Sequence, residues 1–356
     1  MAATGTFSLP TALFDYQLPQ ESIAQEPLAA RDASRLLHLP PAPSPPRDHR
    51  FRDLPELLRP GDLLVVNQTR VRAARLIGRR RGGGAAELLV LSPLPAPGAF
   101  ACLVRPTRRL PPGAEVALGA GLTARIGGPL PEQPGARAVH LDGAAGDLDA
   151  ALESAGEVPL PPYIRVPLPS PERYQTVFST GPPRSAAAPT AGLHFTAAVL
   201  DRLAARGIAV AAIDLEVGLA TFTPIRTERI ADHVVHHERY HVPAETAAAV
   251  AAARARGGRV IAVGTTAVRT LESRRAPDRT VAAGGGVTRL FLHPDAPPQV
   301  IDGLLTNFHQ PRSSLLVLLA SVVGVERWRI AYQHALAHGY RFLSFGDCML
   351  CWFETG

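Results

Sequence analysis

Apolar positions fall in two rhythms along the chain. Between residues 87 and 141, short apolar runs (87–91, 101–104, 115–118 and 138–141) alternate with Gly, Pro and Arg turns, the pattern of a small all-β module. From about Val158 the spacing changes to helices alternating with strands. A helix is expected over 196–206, capped by Thr196 and closed by Gly207, followed by a strand over 208–217. An alanine-rich helix over 244–256 ends at Gly257-Gly258, and a buried strand over 259–263 feeds a helix over 266–274. Two last helices, 314–323 and 326–338, precede an expected strand over 340–345. Upstream, residues 34–39 and 62–67 are strand-like, and the proline-rich stretch 40–46 is an expected surface loop. The expected fold class is mixed α/β (α+β). A large mixed α/β domain (1–71 and 158–356) is interrupted by a β module over 72–157.

Composition adds limits. With 356 residues and 46% hydrophobic side chains, the chain can bury a sizeable core. Its longest apolar run, 315–325, falls well short of the ~20 residues that span a bilayer. The start, MAATGTFSLP, lacks the basic and apolar segments of a signal peptide, so a cytoplasmic protein with no membrane partner is expected. Three cysteines (Cys102, Cys348, Cys351) are too few for a disulfide framework. All 37 basic residues are arginine, and the net charge of +6 permits a polyanionic partner.

Three stretches place small and polar residues just before a helix: 188–196, 264–266 and 306–313. Free N–H groups and the helix dipole make such junctions seats for carboxylates or phosphates, although Thr196, Thr265, Thr266 and Ser313 are also ordinary caps. His194 and His309 sit inside two of these junctions, where an imidazole can move protons near neutral pH or simply be hydrogen-bonded. Arg70, Arg165, Arg269 and Arg312 stand beside polar turns or helix starts. The stretch HVVHHERYH (233–241) packs four of the twelve histidines around Glu238. On a helix, His233 with His236 and His237 with His241 would pair. It lacks the HExxH order and paired cysteines of a zinc site, and no metal is expected.

Ten motifs then occur in order: FDYQLPQESIAQEPLAARDASRLL (14–37), GDLLVVNQTRVRAARLIG (61–78), PLPPYIR (159–165), RYQTVFS (173–179), AAPTAGLHFT (187–196), VGLATFTPI (217–225), HVVHHERY (233–240), VIAVGTTAVRTLES (260–273), LLTNFHQPRSSLL (304–316) and YRFLSFGDCML (340–350). On these the chain resembles the S-adenosylmethionine:tRNA ribosyltransferase-isomerase family of queuosine biosynthesis. The resemblance implies that the inserted module is a small β-barrel. It also implies transfer and isomerisation of the ribosyl moiety of S-adenosylmethionine onto 7-aminomethyl-7-deazaguanine at the tRNA wobble position, giving epoxyqueuosine with release of adenine and methionine. No cofactor is implied, since S-adenosylmethionine is consumed. The partners are S-adenosylmethionine and the tRNA anticodon loop, met by a monomer.

Such chemistry needs a base for the proton on the 5′ carbon beside the sulfonium and an acid for departing adenine. The residues matched to these tasks are His194, His233, His236, Glu238 and His309. Substrate holding falls to Tyr174, Gln175, Thr176, Thr190, Gly192, Thr265, Thr266, Arg269, Asn307 and Asp347, and RNA contact to Arg70, Arg165 and Arg312. Departures from the family pattern stand at Arg184, Glu216, Ala220 and Gln310; Glu216 replaces a histidine. They leave a second expectation, a relative that cleaves or rearranges S-adenosylmethionine with a small-molecule acceptor, and a third, an RNA-binding protein without the chemistry.

Overall fold

The computed structural model describes residues 9–131, 133, 135–143, 148–218, 223–235 and 237–353. Contacts divide the chain into two compact units, the first comprising Met1–Thr69, Pro161–Thr180 and Ala188–Gly356, the second Arg70–Leu160 and Gly181–Ala187. Among the described residues no helix is long and apolar enough to cross a membrane.

The first unit is built on a nine-stranded sheet in the spatial order Gly284–Thr288, Glu238–Val242, Ala209–Leu215, Leu63–Asn67, Val260–Val263, Gly303–Asn307, Cys348–Trp352, Arg35–Leu39, Arg47–Arg50. From Ala209–Leu215 to Gly303–Asn307 neighbouring strands are parallel, so their C-terminal ends share one edge. Cys348–Trp352 runs antiparallel to Gly303–Asn307, and both flanks end in antiparallel pairs. Leu63–Asn67, Val260–Val263 and Gly303–Asn307 are buried at every position, as unbroken Val/Ile/Leu runs must be when both sheet faces are covered. Leu64, Val66, Ile261, Leu305 and Leu350 meet Phe195, Val199 and Leu203 in the core on one face.

Local chemistry sets the helix starts around this edge. Thr196 Oγ1 accepts the N–H of Val199 at 3.3 Å, and Ser313 Oγ accepts that of Leu316 at 3.2 Å. The Thr265–Ser273 helix instead follows Gly264, whose φ of 85° favours glycine, and its first turn has no side-chain cap.

The second unit closes a barrel. Arg75–Arg80, Ala85–Pro93, Ala99–Arg105, Arg137–Asp142, Thr123–Pro129 and Glu115–Leu118 pair in that order, and Glu115–Leu118 pairs back onto Arg75–Arg80. Alternate residues such as Leu76, Leu88, Val90, Val116, Ile126 and Val139 fill its interior.

Two sequence expectations are corrected. Residues 340–345 do not form a strand: the chain there turns, with Leu343 at φ 69°, and the strand is Cys348–Trp352. The turn is held by Asp347, whose carboxylate accepts the backbone N–H groups of Arg35 and Arg341, each at 2.8 Å. The described residues of the histidine cluster are not helical either. His233 follows a short 3-10 turn, Ile230–Asp232, and Glu238–Val242 is a strand hydrogen-bonded on both sides, so sheet pairing overrides the local spacing. His236 and Ala220 lie outside the described residues.

Candidate active site

Val263 lies opposite Leu305 in the parallel pair, so the residues that follow these strands emerge together at the sheet edge. Gly264–Thr266 and Asn307–Gln310 there line a cleft of about 620 Å3 with Thr190, Tyr163 and Ser344. The cleft opens at the strand ends, where α/β sheets gather ligands. A second chamber, also about 620 Å3, shares Thr265, Thr266 and Leu315 with it and adds His233, Glu238 and Arg269.

His309 is in the cleft wall and 7% exposed. Its Nε2 lies 2.9 Å from Thr306 Oγ1, and its backbone is tied down by the hydroxyls of Tyr332 and Tyr16. Nδ1 has no hydrogen-bond partner among the described residues. Burial pushes the ring's pKa down to about 3, so at neutral pH it is an uncharged imidazole, and its Nδ1 can accept a proton when Nε2 donates to Thr306.

His194 is placed differently. Asn307 Nδ2 points at its Nε2 at 3.3 Å and also at the carbonyl of Leu343 at 3.2 Å, while Ser34 Oγ is 2.8 Å from Nδ1. Ser34 donates to the carbonyl of Arg31, so the network assigns the proton to Nδ1, with Nε2 as acceptor. Both ring nitrogens are engaged, and the ring stacks on Phe51 at 5.2 Å. Burial first, then the positive charges of Arg341 and Arg31, push its pKa down to about 3. His194 thus orients Asn307, whose Oδ1 accepts from Thr190 at 3.1 Å in the cleft wall.

Both histidines have folded pKa values below their ordinary 6.5. The unfolded chain therefore binds more protons between pH 6.5 and 3. The stability these rings confer is complete above pH 6.5 and is lost as pH falls through that window, by about 1.4 kcal/mol per pH unit for each ring. Urea unfolding at pH 5 is expected to show about 4 kcal/mol less stability than at pH 7 from these two rings. His309→Gln should remove about 2 kcal/mol of the loss between pH 7 and 5, and an unchanged slope would refute the assignment.

In the second chamber Glu238 and Arg269 form a buried ion pair. Glu238 Oε1 also accepts the N–H of Gly218 at 3.2 Å, and Arg269 Nε donates to the carbonyl of Leu290 at 3.1 Å. Burial pushes Arg269 down to about 10, which still leaves it charged at neutral pH. Among the described residues Arg269 Nη2 and Thr266 Oγ1 are both buried without a hydrogen-bond partner, beside the uncapped start of the Thr265–Ser273 helix. Buried polar atoms are rarely left so, and the residues that carry these line the chamber.

The structure thus brings Thr190, Thr265, Thr266, Asn307 and His309 to one cleft, and His233, Glu238 and Arg269 to the adjoining chamber, where His233 meets the Phe291 ring edge-on at 5.8 Å. Tyr174, Gln175 and Thr176 are buried behind these walls rather than lining them. Gly192 packs there too: a Cβ would come within 2.7 Å of Phe178. Asp347 spends its carboxylate on backbone N–H groups. Arg70 belongs to the second unit, Arg165 is exposed, and Arg312, at φ 55°, precedes the Ser313 cap. Among the described residues, the histidine and carboxylate groups close enough to share an ion are Asp48, His334 and His338, outside the 233–241 stretch. Sequence reasoning missed Tyr163 and Ser344, whose hydroxyls are 2.7 Å apart in the cleft wall; both lie inside quoted motifs, the only signal they carried.

Comparison with known proteins places this geometry. A family model described as queuosine biosynthesis protein matches residues 11–351. A relative from Gloeobacter violaceus, named S-adenosylmethionine:tRNA ribosyltransferase-isomerase, is 48% identical over 341 residues, covering 96% of this chain and 95% of its own. One of the same name from Anaeromyxobacter sp. (strain Fw109-5) is 50% identical over 343 residues, covering 95% and 97%. The 2.00 Å crystal structure of S-adenosylmethionine tRNA ribosyltransferase from Thermotoga maritima superposes with a TM-score of 0.54 at 35% identity, covering 95% of this chain and 99% of that one.

Proposed function

Because this chain belongs to the queuosine biosynthesis protein family, we propose that it moves the ribosyl moiety of S-adenosylmethionine onto the 7-aminomethyl-7-deazaguanine base at the tRNA wobble position. The transferred group isomerises to the epoxycyclopentanediol of epoxyqueuosine, and adenine and methionine leave. The near full-length likeness to relatives named for this activity carries the reading and favours it over a small-molecule acceptor.

The site's chemistry fits the task. The sulfonium acidifies the 5′ carbon, and a base must take a proton from it before the amine attacks. His309, which lines the cleft and whose Nδ1 has no hydrogen-bond partner among the described residues, is the proton acceptor in this reading. His194 and Asp347 act through Asn307 and the turn behind it as positioning residues. The methionine carboxylate is taken by the helix start at Thr265–Thr266, with Thr266 Oγ1 and Arg269 Nη2 as unspent donors.

The direct test is incubation of the pure protein with S-adenosylmethionine and a tRNA bearing the aminomethyl-deazaguanine base. Adenine, methionine and epoxyqueuosine are expected together; adenine released at the same rate without RNA would point to another acceptor. Thr266→Val, which removes a donor while keeping the shape, is expected to raise KM for S-adenosylmethionine about tenfold with kcat nearly unchanged. An unaltered KM would remove Thr266 from the carboxylate seat.

A further inference from the structure

We propose that a recess lined by Arg31, Arg173 and Arg341 binds a backbone phosphate of the RNA substrate. This rests on the tRNA reading above and adds where the polyanion is gripped. The recess has His194 in its wall and shares Ser344 with the substrate cleft. Its three arginines come from distant parts of the chain and converge only in the fold.

Each guanidinium is held by neutral carbonyl oxygens. Arg31 donates to the carbonyls of Gln175 (2.8 Å), Leu193 (3.3 Å) and Glu172 (2.9 Å). Arg173 donates to those of Leu28 and Ala29, and Arg341 to those of Glu26 (3.2 Å) and Phe345 (2.8 Å). None of the three has a salt bridge among the described residues, whereas Arg254, Arg259 and Arg269 each have a carboxylate partner. Asp347 is close in sequence to Arg341, but its oxygens accept backbone N–H groups. Glu172, exposed at the rim, opposes the repulsion that Arg173 exerts on Arg31.

The result is three oriented forks that no salt bridge neutralises among the described residues. Carbonyl tethers fix the side chains without neutralising them, so much of the ordering entropy is spent before any ligand arrives. Each fork retains N–H groups beyond those already donated. An anion entering the recess gains charge-assisted hydrogen bonds and relieves repulsion among the arginines. A phosphodiester suits this demand, and the methionine carboxylate already has its seat at the start of the Thr265–Ser273 helix.

Arg173→Gln and Arg341→Gln, made in the full chain, test the assignment alongside Arg→Lys at each position. Each Gln variant is expected to raise KM for tRNA about tenfold and to lower the slope of log Kd against log salt by about 0.7, the value for one single-strand phosphate contact. KM for S-adenosylmethionine should stay within about twofold. The Lys variants should keep the wild-type salt slope with weaker binding, because charge survives and the fork does not. Thermal stabilisation by S-adenosylmethionine reports that each variant is folded, and the Lys variants carry the test if a Gln variant is not. Unchanged tRNA KM and salt slope in folded variants would overturn the recess as a phosphate site. A rise in KM for S-adenosylmethionine instead would assign it to that substrate. Wild-type protein that makes no tRNA product would overturn the functional reading itself, an outcome distinct from both.

Discussion

Replacing Glu238 by alanine is expected to destabilise the protein by about 3–5 kcal/mol, because the change strands a cation inside the fold. Glu238 and Arg269 side chains are 4% and 13% exposed, so water screens the pair little. With Glu238 gone, Arg269 keeps among the described residues the carbonyl of Leu290 as its partner, and Nη2 has none there. The N–H of Gly218 loses its acceptor as well. A drop in melting temperature of about 4–7 °C should accompany the loss in a chain of this length. The double variant Glu238→Ala/Arg269→Met should recover a large part of it, since an apolar side chain needs no counter-charge. Urea titration of the two singles and the double measures the coupling. A Glu238→Ala variant within about 1 kcal/mol of wild type would show that water or rearrangement neutralises Arg269 and that the pair is not a closed unit.

The second large effect is on the reaction. His309→Ala is expected to lower kcat by about 10²–10⁴, the usual worth of a positioned acid or base, while KM for S-adenosylmethionine changes little. Thr306→Val, which removes the partner of Nε2 but leaves the ring, should lower kcat by a smaller factor, about tenfold. Following deuterium entry at the 5′ carbon in heavy water separates proton removal from ribosyl transfer. His309→Ala should lose this exchange, whereas His194→Gln should retain it with a weakened substrate hold, since the ring of His194 acts through Asn307. Exchange that persists at the wild-type rate in His309→Ala would move the base elsewhere, with His233 in the adjoining chamber the next group to test.

Much of the architecture was legible before the fold was known. Helices over 244–256 and 314–323 and the strand over 259–263 follow from local apolar runs and end signals, and the structure has them at Ala244–Ala255, Ser314–Val323 and Val260–Val263. Residues 340–345 misled because their aromatic and apolar composition answers to burial, not to strand pairing. Tyr340 and Phe342 are buried in a turn that Asp347 holds by hydrogen bonds to Arg35 and Arg341. The spacing of His237 and His241 carries no helical meaning because His241 lies on a strand, where neighbours point to opposite faces, and His233 lies outside any helix.

By itself the sequence determined the element types, the separation of a β module from an α/β body, the family, and the short stretches in which the chemistry lies. Those are properties of neighbouring residues or of ordered motifs, and they survive without knowing who touches whom. The tertiary structure alone decided which motif residues face the cleft. Parallel pairing of Val260–Val263 with Gly303–Asn307 sets Thr266 and His309 into one cleft wall, while burial turns His194 and Asp347 inward to hold Asn307 and a turn. It also decided that Arg31, Arg173 and Arg341 meet without a salt bridge among the described residues. Charge partners are set by distance in space, and distance in space is the quantity a linear pattern of residue types does not contain.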